Sequence, residues 1–127
     1  MADTPQNNNS KYCIAVASTD GENVNCHYGR ATQFYVYYID DDEGYDFLEK
    51  RSVKPVCLGG AHDKKVMEQS VTQFTDCRYV IASRIGSGAS QTLAAAGIIA
   101  MELPGTIDDA ILKVWKYNQV QNLFGRA

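Results

Sequence analysis

Six consecutive residues, Tyr12 to Ala17 (YCIAVA), form an almost unbroken apolar run that stops at the polar turn sequence Ser18-Thr19-Asp20-Gly21. A run this short and this uniformly apolar reads as a strand covered on both faces, and the turn residues close it. It is the natural central strand of a sheet. The stretch from Tyr79 to Ala82 (YVIA) repeats the pattern. After it come the glycine-bearing SRIGSGAS, an alanine-rich helix to about Ala96 and another apolar run from Ile98 to Met101. Strand, helix and strand in that order make a crossover unit with parallel strands and the helix on one face.

The remaining elements follow from local patterns. Phe34 to Ile39 (FYVYYI) is aromatic and β-branched, and DDDEG separates it from Tyr45 to Val53 (YDFLEKRSV), which predicts a hairpin. Met67, Val71 and Phe74 have the i, i+4, i+7 spacing of an amphipathic helix. Past Pro104-Gly105, Thr106 and Asp109 form a capping-box pattern. The helix that follows carries an Ile107, Ile111, Val114 stripe with Leu112 and Trp115 beside it, and Gly125 is its expected stop. The order β-β-β-α-β-α-β-α predicts an α/β fold with a five-stranded mixed sheet and about three flanking helices, in a ribonuclease-H-like topology. Residues 1–10 (MADTPQNNNS) read as a disordered tail and 11–127 as a single domain.

Composition excludes several classes. In 127 residues with 45% apolar and 21% charged content, one core can form without cross-links. No apolar run approaches the roughly 20 residues that cross a bilayer, and residues 1–10 lack the apolar region of a signal peptide, so a cytoplasmic protein without a membrane partner is expected. The net charge of −3, with no basic cluster beyond Lys50-Arg51 and Lys64-Lys65, argues against nucleic acid. Cysteines at 13, 26, 57 and 77 show no C-x-x-C spacing, which speaks against a zinc ribbon, a thioredoxin-type pair or a self-contained cluster motif.

If the second strand runs antiparallel to the first and third, the ends of strands one, three and four share one edge of the sheet. The loops there are Ser18 to Arg30, Lys54 to His62 and Ser83 to Ser87, at the carboxyl edge where open α/β sheets bind ligands. Both histidines, His27 and His62, fall in them, with Cys26 and Cys57. Thiolate and imidazole are soft and borderline donors suited to iron-sulfur or related centres. Each residue also has an ordinary structural role open to it: His27 bonded within its own loop, Cys57 packed under the hairpin. Cys13, inside the first strand, and Cys77, just before the fourth, are expected to be small buried core residues. Gly59-Gly60 and Gly86-Ser87-Gly88 precede helices and present backbone N–H groups to anions, and Arg30 and Arg84 add positive charge.

The segment YCIAVASTDGENVNCHYGRATQFYVYYID resembles the opening of the nitrogenase iron-molybdenum cofactor biosynthesis family, which includes NifX, NafY and the carboxyl-terminal domain of NifB. Ser18, Asp20, Gly21, His27, Gly29, Ala31, Phe34 and Tyr37 match its S-x-D-G, H-F-G-x-A and F-x-x-Y elements. CLGGAHD and DCRYVIASRIGSGASQTLAAAGI resemble the NifB-like branch, so the similarity runs from Tyr12 to Leu123. The resemblance implies a ribonuclease-H-like fold and a non-catalytic protein that binds and hands on iron-molybdenum cofactor or its iron-sulfur precursor, in company with other cofactor assembly proteins. It carries over His27, Cys57, Gly59 and Gly60, whereas Cys26, His62, Arg30, Arg84 and Gly86 rest on their place at the same edge. Tyr28 stands where the family usually has phenylalanine, and the C-x-x-x-C-x-x-C triplet of the radical-SAM part of NifB is absent. A nuclease would need converging carboxylates, of which only Asp20 is at this edge. A nucleotide-binding module of the same fold stays open, since glycine-rich loops at helix starts suit phosphate, although neither G-x-G-x-x-G nor G-x-x-x-x-G-K-S/T is present. A thiol-based redox protein, using Cys26 or Cys57 beside an imidazolium, and a plain interaction domain are also compatible with these residues.

Overall fold

The first apolar run becomes β1 (Lys11–Ala17), buried at every residue from Tyr12 onward. The computed structural model describes residues 11–40, 44–54 and 64–124. After β1 come the two-residue β2 (Asn23–Val24), β3 (Gln33–Asp40), β4 (Tyr45–Ser52), α1 (Lys64–Val71), β5 (Tyr79–Ala82), α2 (Ser87–Ala95), β6 (Ile99–Glu102), the two-residue β7 (Gly105–Thr106) and α3 (Ile107–Phe124). The main sheet has the order β4-β3-β1-β5-β6, with β1 in the middle. β3 runs antiparallel to both β1 and β4, while β5 and β6 continue the sheet in parallel. This is the mixed five-stranded sheet with three helices that the sequence predicts.

Alternation along the strands sends side chains to two separate apolar clusters. Cys13, Ala15 and Ala17 of β1 meet Phe34, Val36, Val80 and Ala82 beneath Val71, Phe74, Ala89 and Leu93, so α1 and α2 cover this face. Ile14, Val16, Tyr37, Ile39, Tyr79 and Ile81 point the other way, beneath Ile107, Ala110, Ile111 and Val114 of α3. The two faces are filled differently. Small residues on the α1/α2 side of β1 leave room for an aromatic group in which Phe34 and Phe74 rings lie 4.7 Å apart and Tyr28 and Phe34 rings 5.9 Å apart. On the α3 side the strands themselves supply the bulk.

Several local expectations are refined. Met67, Val71 and Phe74 do share a face, but α1 ends at Val71 and a 3-10 turn, Thr72–Phe74, carries Phe74 inward. The reason lies in hydroxyl groups that bond back to the helix: Ser70 Oγ donates to the Met67 carbonyl at 2.8 Å and Thr72 Oγ1 to that of Gln69 at 2.6 Å. Thr106 Oγ1 accepts the Asp109 N–H at 3.1 Å, the forward half of the capping box. The short β2–β7 ladder was not legible in the sequence; it pairs Asn23 with Thr106 and Val24 with Gly105. In β4 the register with β3 slips between Val36 and Tyr37, leaving Leu48 as a bulge on an edge strand. Such a bulge interrupts the open edge and disfavours pairing with another strand. The tail, the acidic turn 41–43, Gly125 and the segment 55–63 lie outside the described residues.

Candidate functional site

The carboxyl end of β1 opens into a turn organised by Asp20. Its Oδ1 accepts the Glu22 and Asn23 N–H groups at 2.8 and 2.9 Å, and Ser18 Oγ donates to it at 3.2 Å. These bonds hold the carboxyl well below the usual carboxylate range, at about 2, the Glu22 N–H contributing most. Gly21 follows with φ +76°, and a Cβ there would stand 2.9 Å from the Tyr35 ring. That accounts for the S-x-D-G pattern in physical terms: the carboxylate collects the turn's N–H groups and glycine permits the left-handed step.

From this turn the chain passes through β2 and reaches Cys26, His27 and Tyr28 beside the segment that leaves β5. Ser83 N donates to the Cys26 carbonyl at 2.9 Å and Tyr28 N to that of Arg84 at 2.9 Å, so His27 and Arg84 face each other as a parallel backbone bridge. Two of the three loops that the sequence places on one edge, Ser18 to Arg30 and Ser83 to Ser87, therefore meet through hydrogen-bonded backbone. His27, Arg30 and Arg84 are exposed, and Cys26 is half-buried.

Buried Tyr28 anchors this loop to the body of the protein. Its ring joins the Phe34–Phe74 group, and its hydroxyl lies 2.9 Å from Ser70 Oγ on α1. A tyrosine where the family favours phenylalanine thus brings a phenol into the core, and Ser70 supplies the partner that burial demands. Burial raises the Tyr28 pKa, with the Ser70 bond partly opposing the shift.

Next along this edge, α2 starts at Ser87 with Gly86 as its cap residue and without a side-chain cap. The first N–H groups of a helix have no partner within the helix, and the macrodipole makes this end favourable to anions. A Cβ at Gly86 or Gly88 would meet nothing within 4 Å, and neither residue has positive φ. Among the described residues nothing demands glycine at either position, and the first turn of α2 carries no side chain there. Just before it, Ile85 N donates to Glu102 Oε2 at 2.7 Å, which ties this loop to β6.

A pocket of about 490 Å³ opens beside the Tyr28 anchor, lined by Ser52, Val53 and Lys54 after β4 and by Val66, Gln69, Ser70 and Gln73. Cys57, Gly59, Gly60 and His62 belong to the segment that joins these two walls and lie outside the described residues. The structure thus brings together His27, Arg30, Cys26, Arg84 and Gly86. Burial, followed by the charge of Asp20, raises the Cys26 thiol pKa, which opposes its use as an activated nucleophile. Among the described residues, three histidine, cysteine or carboxylate donors converge within 4.8 Å only at Cys13, Asp76 and Cys77. That grouping escaped the sequence because its two cysteines are 64 positions apart and are brought together by the pairing of β1 with β5, which no local pattern signals.

Residues 10–117 match a protein family described as dinitrogenase iron-molybdenum cofactor. The FeMo cofactor biosynthesis protein NifB of Chlorobaculum tepidum is 32% identical over 110 residues, which cover 87% of this chain and 25% of that protein. NifB of Azotobacter vinelandii is 31% identical over 111 residues, covering 81% and 21% respectively. The chain therefore spans a quarter or less of these relatives. Among solved structures, PH0822 superposes with a TM-score of 0.56 at 22% identity, covering 83% of this chain and 91% of that one. The apo orange protein of Desulfovibrio gigas superposes with a TM-score of 0.55 at 18% identity, covering 84% and 88%. At these identities the likeness is one of fold.

Proposed function

The chain belongs to the dinitrogenase iron-molybdenum cofactor family, and from that premise we propose that it binds iron-molybdenum cofactor or its iron-sulfur precursor and hands it on during nitrogenase cofactor assembly, without catalysing a reaction itself. The observation that supports this reading is the backbone bridge between His27 and Arg84, which pairs a residue carrying an imidazole with one carrying a guanidinium two positions before Gly86 at the amino end of α2. An anionic cluster needs both kinds of group: a ligand for an exposed iron and positive charge or N–H donors for its sulfides and carboxylates. His27 is the proposed ligand from the described part of the site, with Arg30, Arg84 and Gly86 around it. Cys57 and His62, with Cys26 beside His27 in sequence, complete the proposed donor set, and Gly59 and Gly60 are proposed to offer backbone N–H groups to the anion.

A ribonuclease-H-like topology is part of the proposal, supported by an antiparallel hairpin followed by parallel strands in the order β4-β3-β1-β5-β6. A single cofactor-binding domain over 11–127 and a cytoplasmic setting with other assembly proteins complete it. Among the described residues no helix is long and apolar enough to cross a membrane. A redox role through Cys26 is disfavoured because its thiol pKa is raised.

The test is anaerobic incubation of the protein with iron-molybdenum cofactor or its precursor, desalting, then iron assay and absorption spectra. Wild type should retain cluster. His27→Ala and Arg84→Ala should each weaken retention about tenfold, the worth of one charged or ligating contact of roughly 1.4 kcal/mol. Retention unchanged in both variants sinks the site, and no retention by wild type sinks the carrier role.

A further inference from the structure

Cys13 and Cys77 have the burial expected of small core residues, at 4% and 5% exposure in the α1/α2 core. Their sulfurs are also 3.4 Å apart, although 64 positions separate them in sequence. Arg78 N donates to the Cys13 carbonyl at 2.8 Å, so the residue after Cys77 is locked to β1 and the two thiols are held on the same side of the sheet. A disulfide has an S–S length of about 2.05 Å. Closing the gap takes side-chain rotation and a shift of about 0.7 Å by each sulfur, with no strand re-registered.

The surroundings suit a reactive pair rather than an inert one. Asp76 Oδ1 lies 3.5 Å from Cys77 Sγ. Arg51, reaching over from β4, binds both Asp76 oxygens, at 3.0 and 2.9 Å, and Glu49 Oε2 at 2.8 Å from its Nε. Asp76 is more than half exposed, and it joins the Cys77 thiol to this surface ion-pair cluster. Cys77 Sγ is therefore one contact away from a carboxylate that faces solvent. One thiol hydrogen-bonds the other, which makes the first proton of the pair easier to lose and the second harder. A thiolate with an adjacent thiol is the arrangement that oxidises to a disulfide.

We propose that Cys13 and Cys77 are a reversible dithiol–disulfide pair, oxidised by a hydroperoxide and independent of the cluster site. One thiolate attacks the peroxide oxygen, the O–O bond breaks and hydroxide leaves, giving a sulfenic acid. The second thiol then attacks that sulfur; the S–S bond forms, and the sulfenic oxygen departs as water. Two thiols lose two electrons and two protons, and hydrogen peroxide becomes two waters. The product ties β1 to the start of β5, fastening the centre of the sheet. Asp76, in contact with Cys77 Sγ, and Arg51, bound to Asp76, are positioning residues that set the charge beside the pair.

The experiment treats the reduced full chain with equimolar hydrogen peroxide under anaerobic conditions, alkylates the remaining thiols, and maps disulfides by mass spectrometry, with and without later dithiothreitol. The expected result is loss of two hydrogen atoms, a cross-linked peptide holding Cys13 and Cys77, full reversal by dithiothreitol, and a Tm several degrees higher when oxidised. Because the wild-type map identifies the linkage directly, no variant has to fold for the answer to be read. Arg51→Met should slow the oxidation severalfold and move its pH profile upward, because it removes the positive charge that favours the Cys13 thiolate against Asp76 and Glu49. Cys13 and Cys77 recovered alkylated, or carrying separate oxygen adducts, or linked only to Cys26 or Cys57, would overturn the assignment.

Discussion

The buried bond between Tyr28 and Ser70 gives a sharp test of how the His27 loop is held. The phenol is buried with 3% of the residue exposed, its oxygen is 2.9 Å from Ser70 Oγ, and Ser70 in turn donates to the Met67 carbonyl at 2.8 Å. The consistent proton order runs from Tyr28 to Ser70 to Met67. Ser70→Ala leaves the phenol buried without its partner, at a cost of about 1–3 kcal/mol, reduced by a few tenths through the better helix propensity of alanine. Tyr28→Phe removes the polar group itself, and Ser70 keeps its Met67 bond, so the loss is about 0.5–1.5 kcal/mol. In the double variant no phenol remains to be stranded. Its loss should match Tyr28→Phe alone, giving a coupling as large as the Ser70→Ala loss itself, about 1–3 kcal/mol. Urea unfolding followed by circular dichroism, with unchanged m, measures all three. If the single effects add within about 0.3–0.5 kcal/mol, the two groups are independent and the reasoning fails. A second signature is pH dependence. A buried tyrosine with a raised pKa holds its proton in the folded state after the unfolded chain has lost it, so its contribution is intact below pH about 10 and declines above that. Tyr28→Phe should flatten that alkaline decline relative to wild type.

Three further outcomes follow from other parts of the structure. The Asp20 carboxyl should titrate by NMR with a midpoint near 2; because its folded pKa is depressed, its stabilising bonds are fully present above the ordinary carboxylate range near 4 and are lost as pH falls through 2, and a midpoint near 4 would show that the turn bonds are absent. Leu93, fully buried in the α1/α2 core, should cost about 2–5 kcal/mol when changed to alanine, read as a fall in the urea midpoint, and a loss below 1 kcal/mol would mean the face is loosely packed. Gly21→Ala forces a side chain into φ +76° against the Tyr35 ring; about 1–2 kcal/mol of stability should be lost, and a neutral result in the same assay would show that the turn accepts other conformations.

The local patterns carried most of the element order because they are local in origin. Tyr12 to Ala17 is apolar at every residue, too short for a buried helix and closed by a turn, so a strand covered on both sides is the reading it favours. Thr106 caps the α3 start as its side-chain chemistry requires. The misjudged details share a different cause. Whether α1 continues through Phe74 depends on hydroxyls that bond back to the helix, and the β2–β7 ladder depends on two loops meeting across the molecule.

For the site, residue types and the loops that carry them were legible from the chain alone: His27 with Cys26, the Ser18-x-Asp20-Gly21 turn, Arg84, and the glycines around α2. These follow from chain chemistry that any environment would retain. It took the folded chain to show that His27 and Arg84 are bridged through their backbones, that Tyr28 finds Ser70, and that Cys13 finds Cys77 rather than Cys26. Such pairings join residues tens of positions apart. They are set by strand order and register, which arise from packing both faces of the sheet at once and leave no mark in either partner's local sequence.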